Sequence, residues 1–193
     1  MTARSAAVLA LVAAVPCAGC ATLAPGDSVP TTASRTDYAV YSAVLAAEGF
    51  SSVPGQEPEP NLGPHQVHRE ASLEFNKPPT CDPNRPDTAL DQMFALSGGD
   101  FAASCRRPHP PLRLEAAFDR RLEVRLVDQQ ALPPQRPGTY TGLHFSPIWY
   151  SADGKLAVLH IDAHCWGGHG DVVLVGLTDG KWRVLKRMMT WIS

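Results

Sequence analysis

Two Asp-Gly pairs in the C-terminal part of the chain constrain its fold more than any other sequence feature. They are Asp153-Gly154 and Asp179-Gly180, and each lies between apolar or alternating segments. Asp-Gly readily adopts the positive φ angles of a tight hairpin turn, whose twist matches that of the flanking strands. The region from Gly142 to Ser193 is therefore predicted to form four antiparallel strands, at about 142–150, 156–165, 171–178 and 181–190.

The strand predicted at 156–165 alternates most clearly. Successive side chains point to opposite faces of a strand. The odd positions are apolar, namely Ala157, Leu159, Ile161, Ala163 and Cys165. The even positions end in three polar side chains, His160, Asp162 and His164. We expect the odd face to pack on a core, and the polar end of the even face to meet water or a site.

The length and charge of the chain indicate which class of protein it belongs to. A chain of 193 residues with ordinary composition indicates one globular domain. The formal net charge is −2, and the 17 Lys and Arg residues form no basic stripe interleaved with aromatic residues. We therefore expect no nucleic-acid partner.

The first residues are typical of a bacterial export signal. Arg4 precedes an uncharged apolar run over residues 6–15, which is too short to span a membrane. Ala18-Gly19-Cys20 then resembles a lipobox, although Cys17 stands where a lipobox usually has an aliphatic residue. We predict a signal peptide at 1–19 and a fatty acid such as palmitate on Cys20. The alternative is an ordinary cleavage near Ala21.

These features predict where the protein lies in the cell. With a lipid on Cys20, it would be anchored in the bacterial cell envelope and face the periplasm, whereas cleavage near Ala21 would leave a soluble periplasmic or secreted protein. Residues 20–35 are rich in Pro, Thr, Ser, Gly and Ala, which is typical of a flexible tether. We assign residues 36–193 to a single folded domain.

Three cysteines remain in that domain. Export leads to an oxidising compartment in which disulfides persist. Cys81 and Cys105 flank a predicted helical region, and we predict that they form a disulfide. Cys165 lies on the apolar face of its strand, where a free cysteine behaves as a small hydrophobic residue.

The rest of the domain is predicted to contain helices and less regular strands. Asp37 to Phe50 has apolar residues at helical spacing, with Thr36 or Asp37 as its cap and Gly49 near its end. Residues 65–75 favour an edge strand, and residues 122–128 favour another strand. Residues 87–107 favour two short helices that are broken at Gly98-Gly99, with Asp100 as the cap of the second helix. The predicted fold class is α+β, with an N-terminal helix and short middle helices packed on a curved antiparallel sheet of four to six strands.

The polar residues around residue 165 are the candidate site. His160, Asp162, His164 and His169 are residue types that bind zinc, if they converge. The alternative is a solvated strand end, because residues in line on one strand face diverge unless the strand twists or bulges. Cys165 with His169 could form a nucleophile and its base, but a buried packing cysteine is favoured. Gly167, Gly168 and Gly170 favour a tight connection over an anion-binding loop.

The order of these motifs resembles an uncharacterised group of exported bacterial proteins and lipoproteins. The motifs are FSPIWYSADGKLAVLHI, a Cys- and Gly-rich turn, and GKWRVLKRMMTWIS. Members often carry two cysteines in that turn, whereas Cys165-Trp166-Gly167-Gly168-His169-Gly170 has one. The resemblance is close over 142–193, and it implies no catalytic residues.

These observations give two functional hypotheses. The first is a non-enzymatic, envelope-anchored lipoprotein that binds a small ligand or an envelope protein and needs no cofactor. The second is a small metal-binding protein or metal-dependent hydrolase that uses zinc at the His/Asp cluster.

Overall fold

The computed structural model describes residues 31–47, 65–73, 77–82, 84–128, 142–164 and 168–192. The helices are α1 (Arg35–Ala46), α2 (Ala89–Ser97) and α3 (Ala102–Cys105). The strands are β1 (Thr31–Thr32), β2 (His65–His68), β3 (Glu70–Ala71), β4 (Leu112–Arg113), β5 (Val124–Val127), β6 (Gly142–Phe145), β7 (Trp149–Tyr150), β8 (Leu156–His164), β9 (His169–Thr178) and β10 (Lys181–Ile192). Among the described residues, no helix is both long and apolar enough to cross a membrane.

The strands form two sheets. The larger has seven strands in the order β10-β9-β8-β6-β2-β5, with β7 also paired to β8, and the smaller has the order β1-β4-β3. The α+β class is confirmed, but seven strands exceed the predicted four to six. The sheet is also not wholly antiparallel, because β2 pairs in parallel with both β5 and β6. The edge position predicted for 65–75 is wrong, since β5 covers the outer side of β2.

The two Asp-Gly turns join strands as predicted. Gly154 has φ 67°, and Asp179 and Gly180 have φ 52° and 71°. Strands β8, β9 and β10 lie close to the predicted ranges and pair antiparallel in sequence order. The predicted strand at 142–150 is divided into β6 and β7 by residues 146–148.

Strand β8, in the middle of the large sheet, has core residues on both of its faces. The odd residues of β8 are fully buried against α1, in a core that includes Tyr41 and Val44. The apolar face predicted from the alternation is therefore confirmed. On the other face, α2 contributes Leu90 and Met93 to a second core. Helix α2 covers this face, and the even residues Val158, His160 and Asp162 of β8 are buried as well.

The ordered body begins earlier than predicted. Helix α1 starts at Arg35 with Ser34 as its cap, not Thr36 or Asp37; Ser34 N–H donates to Asp37 Oδ2 (2.7 Å) and Asp37 N–H to Ser34 Oγ (3.2 Å). Thr31 and Thr32 pair with β4, so the fold begins inside the segment predicted to be a tether. The predicted signal peptide, Cys20 and Gly49 lie outside the described residues.

The middle helices follow the predicted pattern. Helix α2 ends at Gly98, whose φ of 70° allows the chain to leave the helix. The N-cap of α3 is Phe101 and not Asp100 as predicted, although Asp100 Oδ1 accepts from Ala102 N–H (3.0 Å). Cys81 and Cys105 are paired as predicted, with Cα atoms 5.8 Å apart. The bond ties the loop before α2 to the end of α3.

Candidate functional site

His160 and Asp162 form a buried polar pair on β8. Their side chains are only 3% and 1% exposed, and His160 Nδ1 lies 3.2 Å from Asp162 Oδ2. The prediction of a solvated strand end is therefore wrong for these two residues, because α2 packs on the face that carries them. A polar pair withdrawn from water must be compensated by hydrogen bonds.

Strand β10 supplies those bonds. Thr190 Oγ1 lies 3.0 Å from His160 Nε2, and Trp191 Nε1 donates to Asp162 Oδ1 at 2.8 Å. Consecutive residues of a regular strand point to opposite faces. The register of β10 shifts between Met189 and Trp191, which places a β-bulge at Thr190. Because of this bulge, the side chains of Thr190 and Trp191 both reach the His160–Asp162 pair. The bulge thus completes the cluster of His160, Asp162, Thr190 and Trp191, which we call the polar cluster.

Gly170 makes contact between β8 and β10 possible. Strand β9 lies between them, and Gly170 pairs with Asp162 on one side and Trp191 on the other. A Cβ atom at Gly170 would lie 2.6 Å from Asp162 Oδ1 and 2.6 Å from Trp191 Cδ1. The backbone also takes part, because Thr190 Oγ1 donates to Gly170 O at 2.9 Å. Gly170 is therefore a strand residue that leaves space for the polar cluster.

A small cavity lies beside the polar cluster. Its volume is about 150 Å³, which corresponds to roughly five waters at ~30 Å³ each. Its lining consists of Lys77, Asp87, Thr88, Ala89, Leu90, His160 and Thr190. Lys77 and Asp87 are exposed and bring opposite charges to its rim, whereas Leu90 is buried. The cavity is small, partly polar and adjacent to a buried imidazole.

Asp91 fixes the helix start that lines this cavity. Its carboxylate accepts from the backbone N–H of Thr80 (3.0 Å) and Cys81 (2.9 Å) and from the hydroxyls of Thr80 (2.9 Å) and Thr88 (2.8 Å). Burial alone would raise the pKa of Asp91, but these hydrogen bonds outweigh burial and hold its pKa below the usual value. Asp91 therefore remains charged and holds the loop at residues 80–81 against the start of α2.

The structure does not unite the four predicted metal ligands. His169 pairs with Ala163, so it lies on the face opposite His160 and Asp162, and its Nε2 is 3.8 Å from Asp171 Oδ2. The side chain of His164 and all of Cys165 and Gly167 lie outside the described residues. Within the described ranges, no group of three or more His, Cys, Asp or Glu side chains is arranged to hold a metal ion.

Several members of the site were not found from the sequence. Thr190 is the last residue of the strand predicted at 181–190 and Trp191 lies just beyond it, in the observed β10. The turn at Asp179-Gly180 could have placed both near Gly170. Their joint contact depends on the bulge, for which no turn residue or proline gives a signal. Lys77 and Asp87 come from loops whose position depends on the packing of α2.

No protein-family model, curated protein or solved structure was found to match this chain. The resemblance to exported bacterial proteins stays a prediction.

Proposed function

We propose that the protein is an exported, lipid-anchored protein of the bacterial cell envelope that binds a small polar ligand. The ligand would occupy the cavity beside His160 and Thr190. The observation that carries the proposal is the buried His160–Asp162 pair, because His160 lines a cavity whose rim carries Lys77 and Asp87. Sites for small molecules are typically concave, with a few converging polar groups.

The cost of the polar cluster supports a role beyond packing. Replacing a buried charged or polar pair by well-packed apolar residues is often neutral or stabilising. Here the neighbours on the same face, Val158 and Val172, are apolar and fully buried. The polar cluster also requires a bulge at Thr190 and a glycine at residue 170. A binding function would account for retaining these features in an otherwise apolar layer.

The cavity restricts the chemistry of the ligand. Its volume of about 150 Å³ lies below the ~300–1,000 Å³ of sites for drug-sized molecules. Lys77 would attract a carboxylate and Asp87 an ammonium group, and the Thr190 hydroxyl would bond to the middle of the ligand. We therefore propose a small zwitterion, such as a free amino acid.

The N-terminal sequence supports the proposed location. A basic start, an apolar run and Ala18-Gly19-Cys20 are typical of a lipoprotein signal. A disulfide between Cys81 and Cys105 suits an oxidising compartment. A tethered binding protein would hold its ligand close to the membrane.

One observation favours a second function. The order Asp162, His160, Thr190 matches a carboxylate, imidazole and hydroxyl arranged for nucleophilic acyl transfer. His160 Nε2 would take the hydroxyl proton while Thr190 Oγ1 bonds to the acyl carbon and the bond from that carbon to the leaving group breaks. The leaving group would gain the proton. Water would then hydrolyse the ester on Thr190, which frees the carboxylic acid and restores the hydroxyl. The bond from Thr190 to Gly170 O competes with the first step, so we place binding first.

Ligand-dependent unfolding of the mature chain in detergent tests the proposal. The probes are free amino acids, with small carboxylic acids, amines and sugars for comparison. An amino acid should raise the unfolding temperature, because a ligand that binds only the folded state stabilises it. Thr190→Val and Lys77→Met should each weaken binding in calorimetric titration. Thr178→Val and Lys155→Met are matched controls at exposed positions and should not.

Two results would change the assignment. If no amino acid binds, or if Thr190→Val binds as tightly as the wild type, the cavity is not the ligand site. If a fluorophosphonate labels Thr190 and the wild type hydrolyses p-nitrophenyl acetate faster than Thr190→Val, the acyl-transfer function replaces the binding function.

A further inference from the structure

A second, larger cavity lies on a different part of the molecule, between the small sheet and strand β5. Its volume is about 720 Å³, and it is open to solvent. The lining residues that matter here are Arg69, Arg113, Glu115, Val124, Arg125 and Leu126. None of these residues lines the cavity beside His160.

The charge of this cavity is unbalanced. Three arginines and one glutamate line it. Arg69 forms a salt bridge with Asp128, with 3.0 Å between Nε and Oδ1. Arg113 and Arg125 are exposed, and neither forms a salt bridge within the part of the chain that the structure describes. The cavity therefore favours a ligand with carboxylate or other anionic groups.

Strand β5 also lines this cavity, and among the described strands it lies at an edge of the large sheet. It ends the order of the large sheet and pairs only with β2 among the described strands. His65 N–H donates to Glu123 O (2.7 Å), and Arg69 N–H donates to Val127 O (2.9 Å). The backbone N–H and C=O groups of the odd-numbered residues of β5 therefore point towards β2. Backbone groups alternate along a strand. The N–H and C=O groups of Val124 and Leu126 therefore point away from β2.

We propose that this edge and cavity bind an extended, acidic peptide segment of a partner protein by strand addition. The main chain of the segment would pair with Val124 and Leu126, and its acidic side chains would contact Arg113 and Arg125. A phosphate or lipid headgroup does not present donors and acceptors at the spacing of the alternating N–H and C=O groups of Val124 and Leu126. An extended peptide offers both, and for that reason we choose it. The site is independent of the small-ligand function.

Peptide binding to the mature chain in detergent, measured by fluorescence anisotropy, tests the proposal. The probe is a labelled peptide of alternating Glu and Val; the comparisons are an alternating Lys and Val peptide and a backbone N-methylated Glu and Val peptide. The Glu peptide should bind more weakly as salt is added. The double variant Arg113→Glu/Arg125→Glu should weaken it by about tenfold or more, because two attractive pairs become repulsive. Arg183→Glu is the matched control: it changes an exposed arginine of β10, at the opposite edge of the large sheet.

Each other outcome overturns the proposal. Equal binding of the Lys peptide, or full binding to the double variant, would exclude recognition of acidic side chains at this cavity. Full binding of the N-methylated peptide would exclude strand addition. Weakening by Arg183→Glu instead would place the peptide at β10. If the Glu peptide fails while vesicles of phosphatidylglycerol bind through Arg113 and Arg125, the site is one for lipid headgroups.

Discussion

Trp191 donates its indole N–H to Asp162 Oδ1 at 2.8 Å, although a whole strand, β9, lies between the strands that carry the two residues. The bond passes over Gly170, which pairs with both residues. A glycine in the middle strand and a bulge in the outer strand therefore bring together groups that a regular sheet would keep apart.

Gly170→Ala should destabilise the fold and break the bond between Trp191 and Asp162. The new Cβ would lie 2.6 Å from Asp162 Oδ1 and 2.6 Å from Trp191 Cδ1, and it would overlap Trp191 Nε1. Overpacking of this kind typically costs about 1–3 kcal/mol. Urea unfolding measures the free energy of unfolding, and the indole N–H signal in NMR reports the hydrogen bond. Gly176→Ala is the matched control in β9: its Cβ would meet the side chain of Leu185, which is 55% exposed and free to move. Equal losses for the two variants would contradict the role given to Gly170.

Asp91→Asn should lower stability and flatten its dependence on acid pH. The folded state holds the pKa of Asp91 below its usual value, so it favours the charged carboxylate. The resulting stabilisation is complete above the unfolded pKa, near 3.9, and is lost as the pH falls through the lower folded pKa. At neutral pH the free energy of unfolding of the variant should be about 1–3 kcal/mol lower, because the substitution removes a capping box and other buried hydrogen bonds. Unfolding curves at a series of pH values check this. Asp100→Asn, at an exposed residue that accepts from Ala102 N–H at 3.0 Å, should cost less.

Removing the disulfide should destabilise the protein by about 3–4 kcal/mol in the chain-entropy account. The two cysteines are 24 residues apart in sequence. Unfolding of the double variant Cys81→Ser/Cys105→Ser, compared with Cys165→Ser, measures the effect. Peptide mapping without reductant should recover the linked pair, with Cys165 alkylated only after unfolding. Free thiols at residues 81 and 105 in native protein would disprove the bond.

Cys20 should carry the lipid. The wild type should incorporate a fatty-acid probe and fractionate with membranes, since stable anchoring requires more than one acyl chain or a second signal. Cys20→Ser should lose both properties. Mass spectrometry that finds an unmodified N-terminus at Ala21 or Thr22 in secreted wild-type protein would support the ordinary signal peptide instead.

Protein purified without chelator should contain no stoichiometric zinc. His160 Nδ1 faces Asp162, and His169 lies on the opposite face of the sheet. A tetrahedral zinc site needs ligand atoms at ~2.0–2.3 Å from one point. Elemental analysis of the wild type and of His160→Ala/His164→Ala provides the check. Close to one equivalent of zinc in the wild type, absent from the double variant, would restore the metal-site hypothesis.

The sequence determined the local structure of this protein. Asp153-Gly154 and Asp179-Gly180 predicted the hairpins because few residue pairs adopt the required φ angles at low cost. The apolar odd positions of β8 predicted its core face because strand side chains alternate with a period of two. Gly98 predicted the break between α2 and α3. Each of these features depends on residues close together in the chain.

The tertiary structure decided what surrounds these elements. Nothing in residues 65–75 specifies that β2 lies inside the sheet, in parallel with β5 and β6, because a short strand does not encode its distant partners. The packing of α2 buried His160 and Asp162, which alternation alone had left facing water or a site. The bulge at Thr190 and the gap at Gly170 then united residues from three strands. Such contacts depend on register between segments far apart in sequence, and only the packed fold fixes that register.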